Sequence, residues 1–147
     1  MIILDANVAS ELIRATPSPV VVAWVRARPA AELYMTSITV AQIRYGIERL
    51  PDGNRKKILT RTAAQVFGRF ADQVLPFDLA AALEYGDVVG HRERLGRPID
   101  GFEAQIAAIC RAREATLATR NVKDFAETGI DLIDPWTDPT TRTGPPA

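Results

Sequence analysis

The chain opens Met-Ile-Ile-Leu-Asp, and this apolar run closed by an acid limits what can follow. Ile2, Ile3 and Leu4 are aliphatic in succession and leave no polar face. Such a strand needs cover on both sides, which is the condition of a parallel sheet held between helices. Asp5 stands where the strand stops, and Asn7, Ser10 and Glu11 follow as the chain turns toward a helix. In open α/β sheets the carboxyl ends of the strands are where sites are built. Nothing in folding demands an acid there, so the question becomes which later residues join Asp5. The bland reading, a turn or N-cap residue, stays open beside the functional one.

The rest of the chain alternates strand and helix patterns. Val8 to Arg14 reads as a short helix, and Ser18-Pro19 as an N-cap with Pro at the first helical position of a second, which Pro29 stops. Glu32 to Met35 predicts a strand. Thr36, Ser37 and Thr39 offer caps for a helix with Val40, Ile43, Ile47 and Leu50 on one face. Past the Pro51-Asp52-Gly53-Asn54 turn, Ile58, Thr62, Val66 and Phe70 mark a long amphipathic helix. Gln73 to Phe77 predicts a short strand weakened by Pro76. Asp78 caps a helix to about Arg94, and Gly96-Arg97-Pro98 breaks it. Asp100 opens another, with Ile106, Ile109, Cys110 and Arg113 in register. Ala115 to Thr119 and Asp131 to Ile133 predict the last strands. The pattern is α/β, with a mostly parallel sheet of four to five strands flanked by helices. Residues 1–135 are expected to form one domain, and the Pro-, Thr-, Asp- and Gly-rich 136–147 a disordered tail.

Charge removes some classes of function. Eighteen basic residues balance eighteen acidic ones, so no global field favours a polyanion, and nucleic acid binding needs a local basic patch. Arg14, Arg44, Arg97, Arg120 and Lys123 lie near the proposed edge; Arg120 and Lys123 flank Asn121 and are the best candidates for phosphate contact. The one cysteine, Cys110, excludes an internal disulfide and fits a reducing compartment. No signal-peptide pattern and no bilayer-length apolar stretch is present, so a cytoplasmic protein without membrane association is expected.

Four places qualify as partners for Asp5. Gln42 lies early on the helix after the second strand, Glu103 on the first turn of the helix after Asp100, and Asn121 and Asp124 follow the fourth strand. Strand carboxyl ends and the following helix N-termini share one edge of a parallel sheet. A cluster of oxygen donors there suits Mg²⁺ or Mn²⁺. Capping competes with this reading. Thr39-Val40-Ala41-Gln42 matches a capping box and Asp100-Gly101-Phe102-Glu103 resembles one. Asn121 also suits a left-handed turn and Asp124 a cap of a short helix; spacing does not separate the readings. His91 reads as a surface residue and Cys110 as core. Trp24, Tyr34, Tyr45, Phe67 and Phe70 read as core or dimer contacts.

Four segments taken in order carry a family likeness. They are Ile2-Ile-Leu-Asp-Ala-Asn-Val8, Thr36-Ser-Ile-Thr-Val-Ala-Gln-Ile-Arg-Tyr-Gly46, the stretch from Gly96 to Ala108, and Leu117-Ala-Thr-Arg-Asn-Val-Lys-Asp-Phe125. The chain resembles PIN-domain proteins of the VapC/FitB type, the toxin halves of bacterial toxin–antitoxin pairs. The resemblance implies a three-layer Rossmann-like fold and a Mg²⁺- or Mn²⁺-dependent endoribonuclease. It also implies a homodimer, inhibited by a small VapB-type antitoxin that carries it to promoter DNA. The implied catalytic set is Asp5, Gln42, Glu103 and Asn121, with Asp5, Glu103 and Asp124 toward the metal and Thr119 a hydroxyl beside the site. Two positions depart from the family: Gln42 stands where Glu is usual, and Glu103 where Asp is usual. The Gln42 departure motivates a rival reading, an antitoxin-binding co-repressor with little nuclease activity. A phosphohydrolase with Asp5 as nucleophile is a third reading; it expects a second acid two residues on, where Asn7 stands.

Overall fold

A computed structural model describes residues 1–139. Its sheet has five strands, β1 (Ile2–Leu4), β2 (Leu33–Thr36), β3 (Val74–Leu75), β4 (Thr116–Ala118) and β5 (Leu132–Ile133). Their order is β3-β2-β1-β4-β5 and every pairing is parallel. The helices between them are α1 (Ala6–Glu11), α2 (Pro19–Arg26), α3 (Ser37–Glu48), α4 (Asn54–Arg69), α5 (Leu79–Arg94) and α6 (Gly101–Arg113). The chain winds outward through β2 and β3, then returns to the other side of β1. That reversal opens a crevice at the carboxyl ends of β1 and β4, the place where doubly wound sheets take ligands.

The strands show the two-sided burial expected of continuous apolar runs. Ile3 and Leu117 face the layer of α5 and α6, packing with Val88, Ile106 and Ile109. Leu4 and Ala118 face the opposite layer, with Val8, Val21 and Trp24. Met35 packs there too, among Ile43, Ile47 and Val66 of α3 and α4. The architecture is thus helix, sheet, helix. At roughly 25 cal/mol per Å² of apolar area, burying Trp24, Ile3, Leu4 and Leu117 supplies several kcal/mol per layer.

The end of β3 follows from proline chemistry: the predicted strand Gln73–Phe77 shortens to Val74–Leu75, because Pro76 has no N–H for the ladder. The start of α3 differs from the capping box at Thr39-Gln42. The N-cap is Thr36, whose hydroxyl accepts the Thr39 N–H at 3.0 Å, and Gln42 falls in the second turn. Tyr45, expected in the core or at a dimer contact, is 65% exposed, outside the core of this chain. Past residue 135 the fold continues. Trp136 packs against the Trp24 cluster, and Asp138 accepts from Trp24 Nε1 at 2.7 Å and from Arg28 at 3.0 Å. The folded segment therefore runs through Asp138, beyond the boundary expected at 135; the remainder of the expected tail, 140–147, lies outside the described residues.

Candidate active site

β1 and β4 place the first pair of groups. Leu4 pairs with Ala118, and the Asp5 N–H continues the ladder to the Ala118 carbonyl at 2.9 Å. The next residues, Asp5 and Thr119, therefore lie side by side. Thr119 is fully buried and its hydroxyl donates to Asp5 Oδ2 at 2.7 Å. Asp5 Oδ1 accepts the Ala6 N–H at 2.8 Å, so this carboxylate is also the N-cap of α1. Cap and site readings of Asp5 are compatible in one geometry.

Asn7, which the sequence reading left out of the site, ties Asp5 to Thr119 and Arg120. Its amide nitrogen lies 3.4 Å from Asp5 Oδ2 and 3.3 Å from Thr119 Oγ1, and its Oδ1 accepts the Arg120 N–H at 3.2 Å. Thr119 Oγ1 also accepts the Asn121 N–H at 3.0 Å. Asn121 has φ −91°, so the left-handed reading does not apply. Its exposed side chain starts a short 3-10 turn, Val122–Phe125. Asp124 lies within that turn, so it is not the turn's cap.

The second group of acids arrives on α6. Asp100 is the N-cap, accepting from the N–H groups of Phe102 at 3.1 Å and Glu103 at 3.4 Å. Glu103 thus starts a helix at the same edge as Asp5. Burial pushes the Glu103 carboxyl up to about 7, helped by the charges of Asp124, Asp100 and Asp5, against the pull of Arg92. Burial also raises Asp5, opposed by the Thr119 and Ala6 hydrogen bonds and reinforced by Asp124. The charges of Asp124, Asp100 and Asp5 thus bear on Glu103, and that of Asp124 on Asp5, as suits acids carried to one edge of the sheet.

Gln42 is different. Its Oε1 is buried and has no hydrogen-bond donor among the described residues. With Ala6, Ser10, Ile13 and Arg14 it lines a cavity of about 320 Å³ between α1 and α3. An orphaned acceptor of this sort costs about 1–3 kcal/mol, which an incoming donor would recover. Arg120 stands on the face of Trp136, 4.8 Å from the ring centroid, with its side chain exposed; Lys123 is exposed as well. His91 is half-exposed, and Cys110 is buried, its thiol pushed up by desolvation.

The side chains proposed for a cation, Asp5, Glu103, Asp124, Asn121 and Gln42, all offer oxygen, while the Thr119 hydroxyl is spent on Asp5. Among the described residues no group of three or more His, Cys, Asp and Glu side chains is arranged to hold a metal ion. Mg²⁺ asks for fewer protein ligands, since it is held by one or two carboxylates and keeps several waters. The excess negative charge around Glu103 is what a divalent cation relieves, so the residues present fit one.

A profile of the PIN domain matches residues 2–130. The chain is 39% identical to "VapC ribonuclease Y4jK" of Sinorhizobium fredii, over 92% of this chain and 98% of that protein. It is 34% identical to "Toxin FitB" of Neisseria gonorrhoeae, over 94% of this chain and 100% of that one. The solved structure of FitAB bound to an IR36 DNA fragment superposes with a TM-score of 0.86 at 34% identity, covering 92% of this chain and 96% of that chain.

Proposed function

Because the chain belongs to the PIN domain family, among relatives of the VapC and FitB toxins, we propose that it is the toxin of a toxin–antitoxin pair and a divalent-metal-dependent endoribonuclease. What supports this reading is the position of Asp5 at the end of β1 and of Glu103 at the start of α6, on one edge of the sheet, each carboxyl raised first by burial and then by neighbouring acids. Asp5 and Glu103 would hold Mg²⁺ or Mn²⁺, with Asp124 adding charge. Such a cation acidifies its bound water and screens phosphate charge. The chain's own groups do the positioning. Thr119, Asn7 and the Ala6 N–H fix the Asp5 carboxylate. Asn121 is set beside it through Thr119. Arg120, steadied on Trp136, and Lys123 offer cations to a phosphodiester.

The partner reading rests on surfaces. A cavity of about 610 Å³ is walled by Ile13, Arg14, Arg55, Ile58 and Leu59, next to the smaller one that ends at Gln42. Its apolar floor and two arginines suit an amphipathic, acidic segment of a VapB-type antitoxin, which would carry this chain to promoter DNA. On α5, Leu79 and Leu83 stand one turn apart at 75% and 73% exposure, a face suited to a second copy of the chain.

The test is cleavage of RNA by the purified chain with Mn²⁺, with chelator, and with Asp5→Asn. Cleavage with Mn²⁺ that chelator and the substitution both abolish is expected; cleavage surviving Asp5→Asn overturns the reading. A second reading, a co-repressor with little nuclease activity, is favoured by one observation, the neutral and unpaired Gln42. A lost unit charge worth about one to three kcal/mol weakens metal binding roughly five- to 150-fold. On that reading Gln42→Glu restores cleavage, and equal cleavage by both versions rejects it. The aspartyl-nucleophile alternative draws no support, because Asn7 already spends its amide on Asp5 and Thr119.

A further inference from the structure

The last turn of α5 contains a charge that helical periodicity does not explain. Arg92 is 6% exposed, while its neighbours His91, Glu93 and Arg94 are exposed. Its guanidinium donates from Nε to the Arg97 carbonyl at 2.7 Å, and from Nη1 to the carbonyls of Asp124 at 2.8 Å and Ala126 at 2.9 Å. The helix end strengthens the first link. Gly96 takes φ +70°, its N–H bonds the Glu93 carbonyl, and the Arg97 N–H returns to the Arg92 carbonyl at 2.9 Å. This is the Schellman closure, which needs the left-handed glycine. Arg92 and Arg97 are therefore joined twice.

Those acceptors sit on the two segments that carry acids of the proposed site, and α6 and the turn after β4 are in contact. Arg97 lies on the connection that delivers the N-terminus of α6, and with it Glu103. Asp124 and Ala126 belong to the turn after β4. A buried guanidinium is costly, and an apolar residue of similar bulk would fill the space more cheaply. We infer that Arg92 is a positioning residue of the site: by pinning both segments to α5 it sets where Glu103 and Asp124 stand relative to Asp5. Its charge acts in the same sense, opposing the carboxylates that raise Glu103. The inference rests on the reading of these acids as the reactive centre.

Three variants of the full chain test it. Arg92→Met keeps bulk and removes the donors and the charge. Arg92→Lys keeps the charge, but an ammonium does not reproduce the planar fork. Val88→Ala, one turn earlier on α5 and fully buried, is the stability control. Mn²⁺ affinity is read from the electron paramagnetic resonance signal of free Mn²⁺. Amide hydrogen exchange is read on the metal-free protein. Removing a group that holds a metal's ligands in place costs about ten-fold or more in affinity, so Arg92→Met is expected to weaken Mn²⁺ binding by that much, with Arg92→Lys between it and the parent. Val88→Ala, compared at conditions of equal thermal margin, keeps the parent affinity. In the metal-free Arg92→Met protein, exchange quickens at Asp124 and Ala126 and not at Leu117 of β4.

Parent affinity in both Arg92 variants, or an equal loss in Val88→Ala, overturns the inference. If Arg92→Met does not fold, Arg92→Lys decides on the same readouts. If the parent chain binds no Mn²⁺, the metal reading fails separately. Exchange in the metal-free variants then decides: local quickening upholds the positioning role, and unchanged rates at Asp124 and Ala126 refute it.

Discussion

Thr119→Val removes one oxygen and leaves the shape, which makes it a clean probe of how Asp5 is held. The hydroxyl donates to Asp5 Oδ2 at 2.7 Å and accepts from the Asn121 N–H at 3.0 Å and the Asn7 amide at 3.3 Å. The side chain is fully buried, so water does not replace it. A hydrogen bond to a charged group contributes about 1.5–3 kcal/mol. Asn121 is exposed and its freed N–H can turn to solvent, so it adds little. The expected loss at neutral pH is about 2–3 kcal/mol, or roughly 6–12 °C in Tm for a chain of this size. The bond favours the ionised carboxylate, so losing it raises Asp5 further. The penalty therefore shrinks as pH falls toward Asp5's raised pKa, where the protonated acid no longer needs the donor. Differential scanning calorimetry from neutral pH down to the acid limit of the fold reads both effects, with Thr119→Ser as the variant that keeps the hydroxyl. A loss in Thr119→Val that is the same at both ends, or a Thr119→Ser that loses as much, refutes the argument.

Glu103 gives a pH dependence of definite sign. Its carboxyl rises from 4.5 to about 7 on folding, so its stabilising contribution is full below about 4.5 and lost as pH climbs through about 7. Metal-free Tm is expected to fall across that range, Glu103→Gln to flatten the fall, and saturating Mn²⁺ to reverse it, because ligation needs the deprotonated acid. Asp138→Ala takes the acceptor from the buried Trp24 indole and is expected to cost about 1–3 kcal/mol in urea unfolding. No measurable cost would detach 136–138 from the fold. Arg120→Ala is expected to raise KM for RNA several-fold with kcat little changed, and Trp136→Ala to do the same through the lost stacking. A fall in kcat alone would move Arg120 from substrate binding to chemistry.

What the sequence made legible followed from strong local signals. Ile2 to Leu4 announced a strand buried on both faces, and Asp5 at its end announced the edge where the site lies. Ser18-Pro19, Asp78 and Asp100 marked three helix starts at their correct places. The cap of α3 was ambiguous because Thr36, Ser37 and Thr39 all carry hydroxyls, and only the backbone turn chooses Thr36. Arg92 gave no signal, since an arginine in a last helical turn is normally a solvated charge. Its burial depends on segments that arrive in the chain after it. Asp138 was hidden in the same way by a composition that suggests disorder, although the Trp24 indole and the Arg28 guanidinium hold it from the end of a distant helix. That the carboxyl ends of β1 and β4 lie side by side is a property of strand order, which no local pattern contains.

The hydrogen bonds that orient Asp5 come from a hydroxyl, a side-chain amide and a peptide N–H, all of them neutral. A lysine or arginine in the place of Thr119 would grip the carboxylate harder and cancel it. As built, the central strand of the sheet delivers a buried carboxyl held by neutral donors alone, and burial makes its ionised form costly to the fold. A carboxylate held in this way keeps its charge for whatever approaches that edge.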